Sequence, residues 1–162
     1  MKLINQMLIT SFFINIFIII ALYIGLTNEV GDISKNRKLD APDFNVKGHI
    51  YQYYTSNTKY QGEREAIRNT LAIKGLNITS VIHGWITIRF VINHKGEAGR
   101  YRLYCIDNKY NEVKIENDDK EKILSRVKNL NTWEIGEING EKIDSYYQIT
   151  FKIENGKIID IF

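Results

Sequence analysis

The sequence predicts an α+β domain in which an antiparallel sheet and one packing helix bury each other as a two-layer sandwich. Two stretches, Trp85–Ile92 and Tyr147–Ile153, alternate apolar and polar residues, which is typical of half-buried strands. Residues 118–130 instead repeat apolar side chains every three or four positions, as an amphipathic helix does. Turn residues between successive strands favour hairpins and therefore antiparallel pairing.

The N-terminus precedes this domain with an apolar segment. No Asp, Glu, Lys or Arg lies between Lys2 and Glu29, and residues 7–26 read MLITSFFINIFIIIALYIGL. Twenty helical residues extend about 30 Å, the thickness of the hydrocarbon core of a bilayer. The run is longer than the apolar region of a signal peptide, and no A-x-A-like site follows it. We therefore expect residues 1–26 to form a transmembrane anchor, with a cleaved signal peptide as the alternative.

The side of the membrane on which the domain lies is predicted less directly. Lys35, Arg37 and Lys38 follow the span and outnumber the positive charges before it, which opposes an orientation with the N-terminus inside. Long C-terminal domains, however, translocate largely regardless of charge. We expect the domain outside the cytoplasm, and a cytoplasmic domain on a reversed anchor stays open.

Residues 27–61 follow the span without clear periodicity. They contain Gly31, Pro42, Gly48 and a Tyr-rich run at residues 51–54. This composition predicts a linker that leads into an irregular approach, with the Tyr run as a strand or a covering layer of the domain. The domain itself is predicted over residues 62–162.

The elements of this domain follow in order. A helix is predicted over Gly62–Lys74, ended by Gly75. Asn93–Gly99 forms a hairpin loop, and residues 100–107 form the returning strand. The second helix begins at Asn117-Asp118-Asp119, which offers an N-cap and a negative first turn, and ends near residues 129–131. Asn139-Gly140 and Asn155-Gly156 are tight turns on either side of the last long strand, and the second folds residues 157–162 back as a short strand.

Composition and motifs exclude several classes of function. The chain has 22 basic and 19 acidic residues among 162, a balance that predicts no nucleic-acid partner. A single Cys excludes an internal disulfide and a multi-Cys metal cluster. His49, His83 and His94 are too scattered for a metal motif, and no phosphate loop, nucleophile elbow or zincin motif occurs. We expect no cofactor, no metal and no enzymatic activity.

Two groups of side chains have more than one interpretation. Cys105 shares an alternating face with Tyr101 and Leu103, which predicts a core position, whereas a nucleophile would need His83 or His94 as its base. Three arginines are expected on the outer face of the hairpin. That face is predicted to be solvated, and a patch for an anionic ligand or phospholipid is the alternative. The three are Arg89, Arg100 and Arg102.

Three segments in the right order resemble the C-terminal domain of the TonB family. Residues 84–96 read GWITIRFVINHKG, residues 133–140 read WEIGEING, and residues 146–161 read YYQITFKIENGKIIDI. The resemblance covers residues 84–161 and implies a β-β-α-β fold. It also implies a bacterial inner-membrane protein with its C-terminal domain in the periplasm, or a periplasmic protein if the N-terminal segment is cleaved.

The resemblance does not extend to the whole energy transducer. Pro42 is the only proline, so the Pro-rich arm of the transducer is missing. Ile135 stands where the family segment W-x-P-G has its proline. What the resemblance implies is therefore the fold, without the arm that crosses the periplasm.

Together these features predict a membrane-anchored, extracytoplasmic protein-interaction module that binds an envelope partner by β-strand addition. By resemblance, the receiving edge is the strand Tyr146–Glu154, which residues 157–162 also compete to occupy. Four side chains of this strand are predicted to meet the partner or solvent. They are Tyr146, Gln148, Thr150 and Lys152. The alternative is a structural or immunity-type envelope protein that has no peptide groove and acts by covering another protein's surface.

Overall fold

The computed structural model describes residues 2–27, 33–72 and 76–162, and the chain forms two compact units, Met1–Asp32 and Ile33–Phe162. The first unit contains one helix, α1 (Lys2–Thr27). Within α1, Ile4–Tyr23 is long and apolar enough to cross a membrane, with a mean hydropathy of 2.0. Its apolar residues surround the helix instead of forming one stripe, because almost every position is apolar. The prediction of an N-terminal apolar helix is confirmed.

The second unit is a mixed α+β domain built on a mostly antiparallel sheet. Its helices are α2 (Tyr53–Ser56), α3 (Glu63–Leu71) and α4 (Asn117–Lys128). Its long strands are β3 (Gly84–Ile92), β4 (Ala98–Asp107) and β8 (Asp144–Glu154). The shorter ones are β1 (Ile50–Gln52), β2 (Lys59–Tyr60), β5 (Trp133–Glu134), β6 (Glu137–Ile138), β7 (Glu141–Lys142) and β9 (Lys157–Ile161).

The main sheet has the order β1-β8-β3-β4, and β9 also pairs with β8. Pairing is antiparallel between β3 and β4, β3 and β8, and β8 and β9, as the hairpin signals predicted. The strand β1 is the exception, since it runs parallel to the start of β8. Two small antiparallel pairs, β2 with β5 and β6 with β7, complete the strand pairing of the described residues.

The turn signals are confirmed in detail. Asn139 and Asn155 have φ values of 53° and 52°, and each is followed by a glycine that also has positive φ. Consecutive positive φ angles are what a two-residue hairpin turn of type I′ requires. The predicted end of the first helix at Gly75 lies outside the described residues, and α3 ends at Leu71.

The main core lies between the helices and one face of the sheet. Ile86, Ile88 and Phe90 project into it from β3, in the alternation that the sequence shows. Both α3 and α4 contribute buried side chains, so the prediction of one packing helix is corrected to two. The helix residues in this core are Ile67 and Leu71 of α3, and Ile123, Leu124 and Val127 of α4.

A second, smaller core lies on the opposite face of the sheet. Ile33, Phe44 and Ile50 pack there against Val91 and Tyr146. Residues 33–50, here called the covering segment, therefore belong to the folded unit, although their sequence suggested a linker and an irregular approach. Their packing follows no helix or strand period, because single apolar residues separated by polar ones enter the core from an irregular chain.

Candidate functional site

The outer edge of β8, the edge away from β3, is filled at both ends by other parts of the chain. The strand β1 pairs with Asp144–Tyr146, and β9 pairs with Phe151–Glu154. Phe162 extends the second pairing, since it exchanges main-chain hydrogen bonds of 3.0 and 2.8 Å with Thr150. The C-terminal residues thus occupy the predicted receiving edge, as the Asn155-Gly156 turn suggested.

Gln148 marks the gap between these two partners. Thr150 exchanges both of its main-chain hydrogen bonds with Phe162, so its N–H and C=O point away from β3. Backbone groups of a strand repeat their direction every two residues, so the N–H and C=O of Gln148 also point away from β3. Among the described residues no strand pairs with Gln148 on that side. A cavity of about 100 Å³ opens at this point, and we call it the notch.

Aromatic side chains form part of the wall of the notch. Tyr53, Tyr147 and Phe162 line it together with Arg64 and Gln148, above the apolar side chains Ile67, Ile149 and Ile161. The rings of Tyr53 and Tyr147 have their centroids 5.2 Å apart. No sequence pattern assigns Tyr53, Arg64 and Phe162 to the site, because Tyr53 and Arg64 are far along the chain from β8 and from Phe162. Only the Tyr-rich run at residues 51–54 hinted at an aromatic surface.

Charge in the notch comes from Arg64. Its guanidinium lies 4.9 Å from the centroid of the Phe162 ring and 3.2 Å from an oxygen of Asp160. Burial, and then the charges of Tyr53 and Glu63, raise the pKa of Tyr147, so its phenol stays protonated at neutral pH. The notch therefore combines a strand edge, aromatic walls and one cation, a set that suits a short peptide with an apolar side chain.

The four predicted partner residues occupy different environments. Gln148 is exposed at the notch. Thr150 is half-buried, with its hydroxyl 3.0 Å from that of Thr87, and Lys152 pairs with Glu154 at 2.7 Å. Tyr146 does not meet solvent, which corrects the prediction for this residue. It is buried because the covering segment packs over it.

Of the three arginines of the predicted outer face, Arg100 and Arg102 bind the covering segment, and Arg89 contacts β8. Arg102 binds both carboxylate oxygens of Asp40, at 2.7 and 2.9 Å, and it donates to the carbonyl of Ser34. Arg100 donates to the carbonyl of Ile33 at 3.2 Å, and the guanidinium of Arg89 lies 5.5 Å from the centroid of the Tyr146 ring. The face is therefore partly covered and not simply solvated, and these side chains serve intramolecular contacts.

The contact between Asp40 and Arg102 is well matched electrostatically. The hydrogen bond from Arg102 lowers the pKa of Asp40, and it outweighs the burial that would raise it. The same hydrogen bond raises the pKa of Arg102 and outweighs the opposing effect of burial, so its guanidinium stays protonated. The pair thus stays charged over the whole physiological range.

Cys105 lies in the main core, as its place in the strand alternation predicted. Burial, and then the charge of Asp107, raise the pKa of its thiol to about 11. A protonated, buried thiol is poorly suited to nucleophilic attack. His94, one of its proposed bases, has Nδ1 at 2.9 Å from a buried oxygen of Asp144. In the described part of the chain, no group of three or more His, Cys, Asp or Glu residues could hold a metal ion.

No protein-family model, curated protein or solved structure matches this chain.

Proposed function

We propose that this protein is a membrane-anchored protein-interaction module that binds a peptide of a cell-envelope partner at the notch around Gln148. The helix α1 is the anchor, and the α+β unit lies outside the cytoplasm, in the periplasm of a bacterial cell. The observation that carries the proposal is the interruption of strand pairing at Gln148, between β1 and β9.

An unpaired stretch of strand edge is a template for another chain, since its N–H and C=O groups have no internal partner. Here the unpaired stretch is short, so a partner would gain about two main-chain hydrogen bonds from Gln148. An apolar side chain of the same peptide would enter the cavity between Tyr53, Tyr147 and Phe162. Recognition would therefore depend on this side chain as much as on the backbone.

The opposite edge of the sheet is less suited to strand addition. The strand β4 carries an extra residue opposite Arg89–Val91, and Arg100 there has a φ of 54°. A bulge twists an edge away from a regular partner. At the other end of β4, Val113 donates to the carbonyl of Cys105 and Asp107 donates to that of Asn111. These features favour the notch over the β4 edge.

The resemblance to the TonB C-terminal domain supports this proposal, because the long strands and α4 follow the order β3, β4, α4, β8, with the short strands β5 to β7 between α4 and β8. In this chain β1 and β9 occupy most of the edge that strand addition would use. The proposed contact is accordingly limited to the notch, and with Pro42 as the only proline we propose no force-transmitting arm.

A photo-reactive amino acid in place of Gln148, in the full chain and in intact cells, tests the proposal. We expect one discrete cross-linked product, and we expect Tyr53→Ala or Phe162→Ala to remove it, because each shortens a wall of the notch. The matched control carries the probe at Tyr104, an exposed aromatic position on β4. Equal products from the two positions, or a product at Gln148 that both wall variants leave intact, would reject the notch as the binding site.

The alternative function is a structural or immunity-type envelope protein that covers another protein's surface without a peptide groove. The filling of the β8 edge by β1 and β9 favours it, because little free edge remains. Under this alternative, cross-links would come from exposed positions outside the notch, and the two wall variants would leave them unchanged.

A further inference from the structure

The covering segment presents an exposed cationic turn. Lys35, Arg37, Lys38 and Leu39 are all exposed, and the side chain of Leu39 is 66% accessible. Lys35 also donates a hydrogen bond of 3.3 Å to the carbonyl of Pro42 from its exposed amine. Three positive charges and an apolar side chain therefore lie within five consecutive residues, and we call residues 35–39 the basic turn.

Hydrogen bonds hold the basic turn in one conformation. The backbone N–H of Asn36 donates to Asp40 at 2.7 Å, that of Lys38 donates to the side chain of Asn36 at 2.9 Å, and that of Leu39 donates to the carbonyl of Asn36 at 3.1 Å. Asp40 is in turn bound by Arg102. Ordering the turn therefore costs little further entropy when a ligand binds.

The nearest carboxylate of the segment does not neutralise the turn. Asp40 is buried and already compensated by both nitrogens of Arg102. Asp43, four residues beyond Leu39, is exposed, and so is Lys47. The exposed side chains of the covering segment thus carry four positive charges against one negative charge. Arg102 neutralises the charge of Asp40. Lys35, Arg37 and Lys38 are therefore available to interact with an anionic ligand outside the chain.

Chain length places this turn close behind the apolar helix in the sequence. Seven residues, 28–34, separate Thr27 from Lys35, and they include Glu29 and Asp32. Whatever path it takes, the chain from Thr27 to Lys35 extends at most about 29 Å, from eight steps of up to about 3.6 Å. Once α1 is inserted, the basic turn cannot move farther than this from the end of the helix.

We propose that the basic turn binds the headgroups of anionic phospholipids in the membrane that α1 enters, with Leu39 inserted at the interface. Lys35, Arg37 and Lys38 supply the attraction to the anionic surface, and Leu39 supplies the apolar contact. The inference rests on the anchoring role proposed for α1, and it is independent of peptide binding at the notch. It differs from the alternative of a phospholipid patch at Arg89, Arg100 and Arg102, because it uses the cations of the turn that Arg102 orders through Asp40.

The test uses the full chain with Leu39→Cys, carrying an environment-sensitive fluorophore, reconstituted in vesicles. One set of vesicles contains phosphatidylcholine alone, and the other also contains phosphatidylglycerol. We expect a blue-shifted emission only with phosphatidylglycerol, lost at high salt, because screening weakens attraction to the surface. Three cations favour the bound turn by about 100-fold.

Charge reversal gives the decisive comparison. Lys35→Glu, Arg37→Glu and Lys38→Glu together should abolish the shift, whereas Lys109→Glu, Lys114→Glu and Lys142→Glu, a reversal of three exposed lysines elsewhere, should leave it intact. Equal emission in both lipids, or equal loss in both triple variants, would overturn the proposal. Failure of the chain to co-sediment with either vesicle would instead contradict anchoring by α1. Peptide binding at the notch is tested by a different experiment, the cross-linking at Gln148.

Discussion

Asp119 shows how a single buried carboxylate joins distant parts of the domain. It is 1% exposed and accepts hydrogen bonds of 2.8 Å from both the backbone and the hydroxyl of Ser80. Thr79 and Lys122 donate to it as well. The sequence predicted an N-cap and a negative first turn at residues 117–119. Asp118 and Asp119 do lie in the first turn, but the N-cap position is Glu116. Asp119 also connects α4 to the loop before β3.

The pKa of Asp119 makes this fastening sensitive to acid. Burial raises the pKa, but the hydrogen bonds from Ser80, Lys122 and Thr79 outweigh it, so the pKa in the folded protein lies below its usual value. The stabilisation is therefore complete above the unfolded pKa, at about 4, and is lost as the pH falls towards the folded pKa.

Asp119→Asn should accordingly lower the free energy of unfolding by about 2 kcal/mol at neutral pH, because a charged acceptor is lost. Urea denaturation at neutral and acidic pH measures the difference from the parent protein, which should shrink as the pH falls below about 4. Asp118→Asn, an exposed neighbour in the same helical turn, is the control and should have little effect. A difference that stays constant with pH would show that the charge of Asp119 is not the stabilising feature.

Among the elements, β9 has two roles that its short length conceals. It pairs with Phe151–Glu154 at the edge of β8, and it buries Ile158 and Ile161 in the main core. Its pairing contains an irregularity next to Ile153, and Ile159 is 48% exposed there. Asp160 is held by Arg64 and Arg68 of α3, so this helix secures the strand from the side. We therefore regard β9 as part of the core and not as a removable cover.

Ile161→Ala should destabilise the domain by about 2–5 kcal/mol, because it leaves a cavity beneath the sheet edge. Ile159→Ala removes the same atoms from an exposed position, and we expect a change below about 0.5 kcal/mol. Thermal or urea denaturation of the two variants makes the comparison. Equal effects would contradict the assignment of β9 to the core, and would favour a strand that a partner could displace.

For the whole molecule, location has two parts: association with a membrane, and the side of the membrane on which the folded unit lies. The helix α1 indicates membrane association, and its length suits a complete span. The balanced charge of the chain does not predict which side carries the folded unit.

We expect the full chain to sediment with membranes, to resist extraction at high pH, and to retain residues 1–26 when its N-terminus is sequenced. The physical reason is that the apolar run exceeds the length of a signal-peptide core. Asn108→Cys, at an exposed position, should react with a membrane-impermeant thiol reagent from the periplasmic side, while buried Cys105 provides a low background. A mature N-terminus beyond Thr27 would indicate a cleaved signal, and labelling only from the cytoplasm would indicate the reversed anchor.

Sequence by itself determined the features that depend on local period and turn chemistry. The apolar helix, the alternation of β3 and β8, the stripe of α4 and the Asn-Gly turns each follow from neighbouring residues, whose geometry is set by the backbone. Tertiary structure alone decided what separated residues do together. Arg102 and Asp40 are 62 positions apart, and Ser80 and Asp119 are 39 apart. The notch likewise needs Tyr53, Gln148 and Phe162 to meet. No local pattern encodes such pairs, because their contact arises only when elements that are distant along the chain pack together.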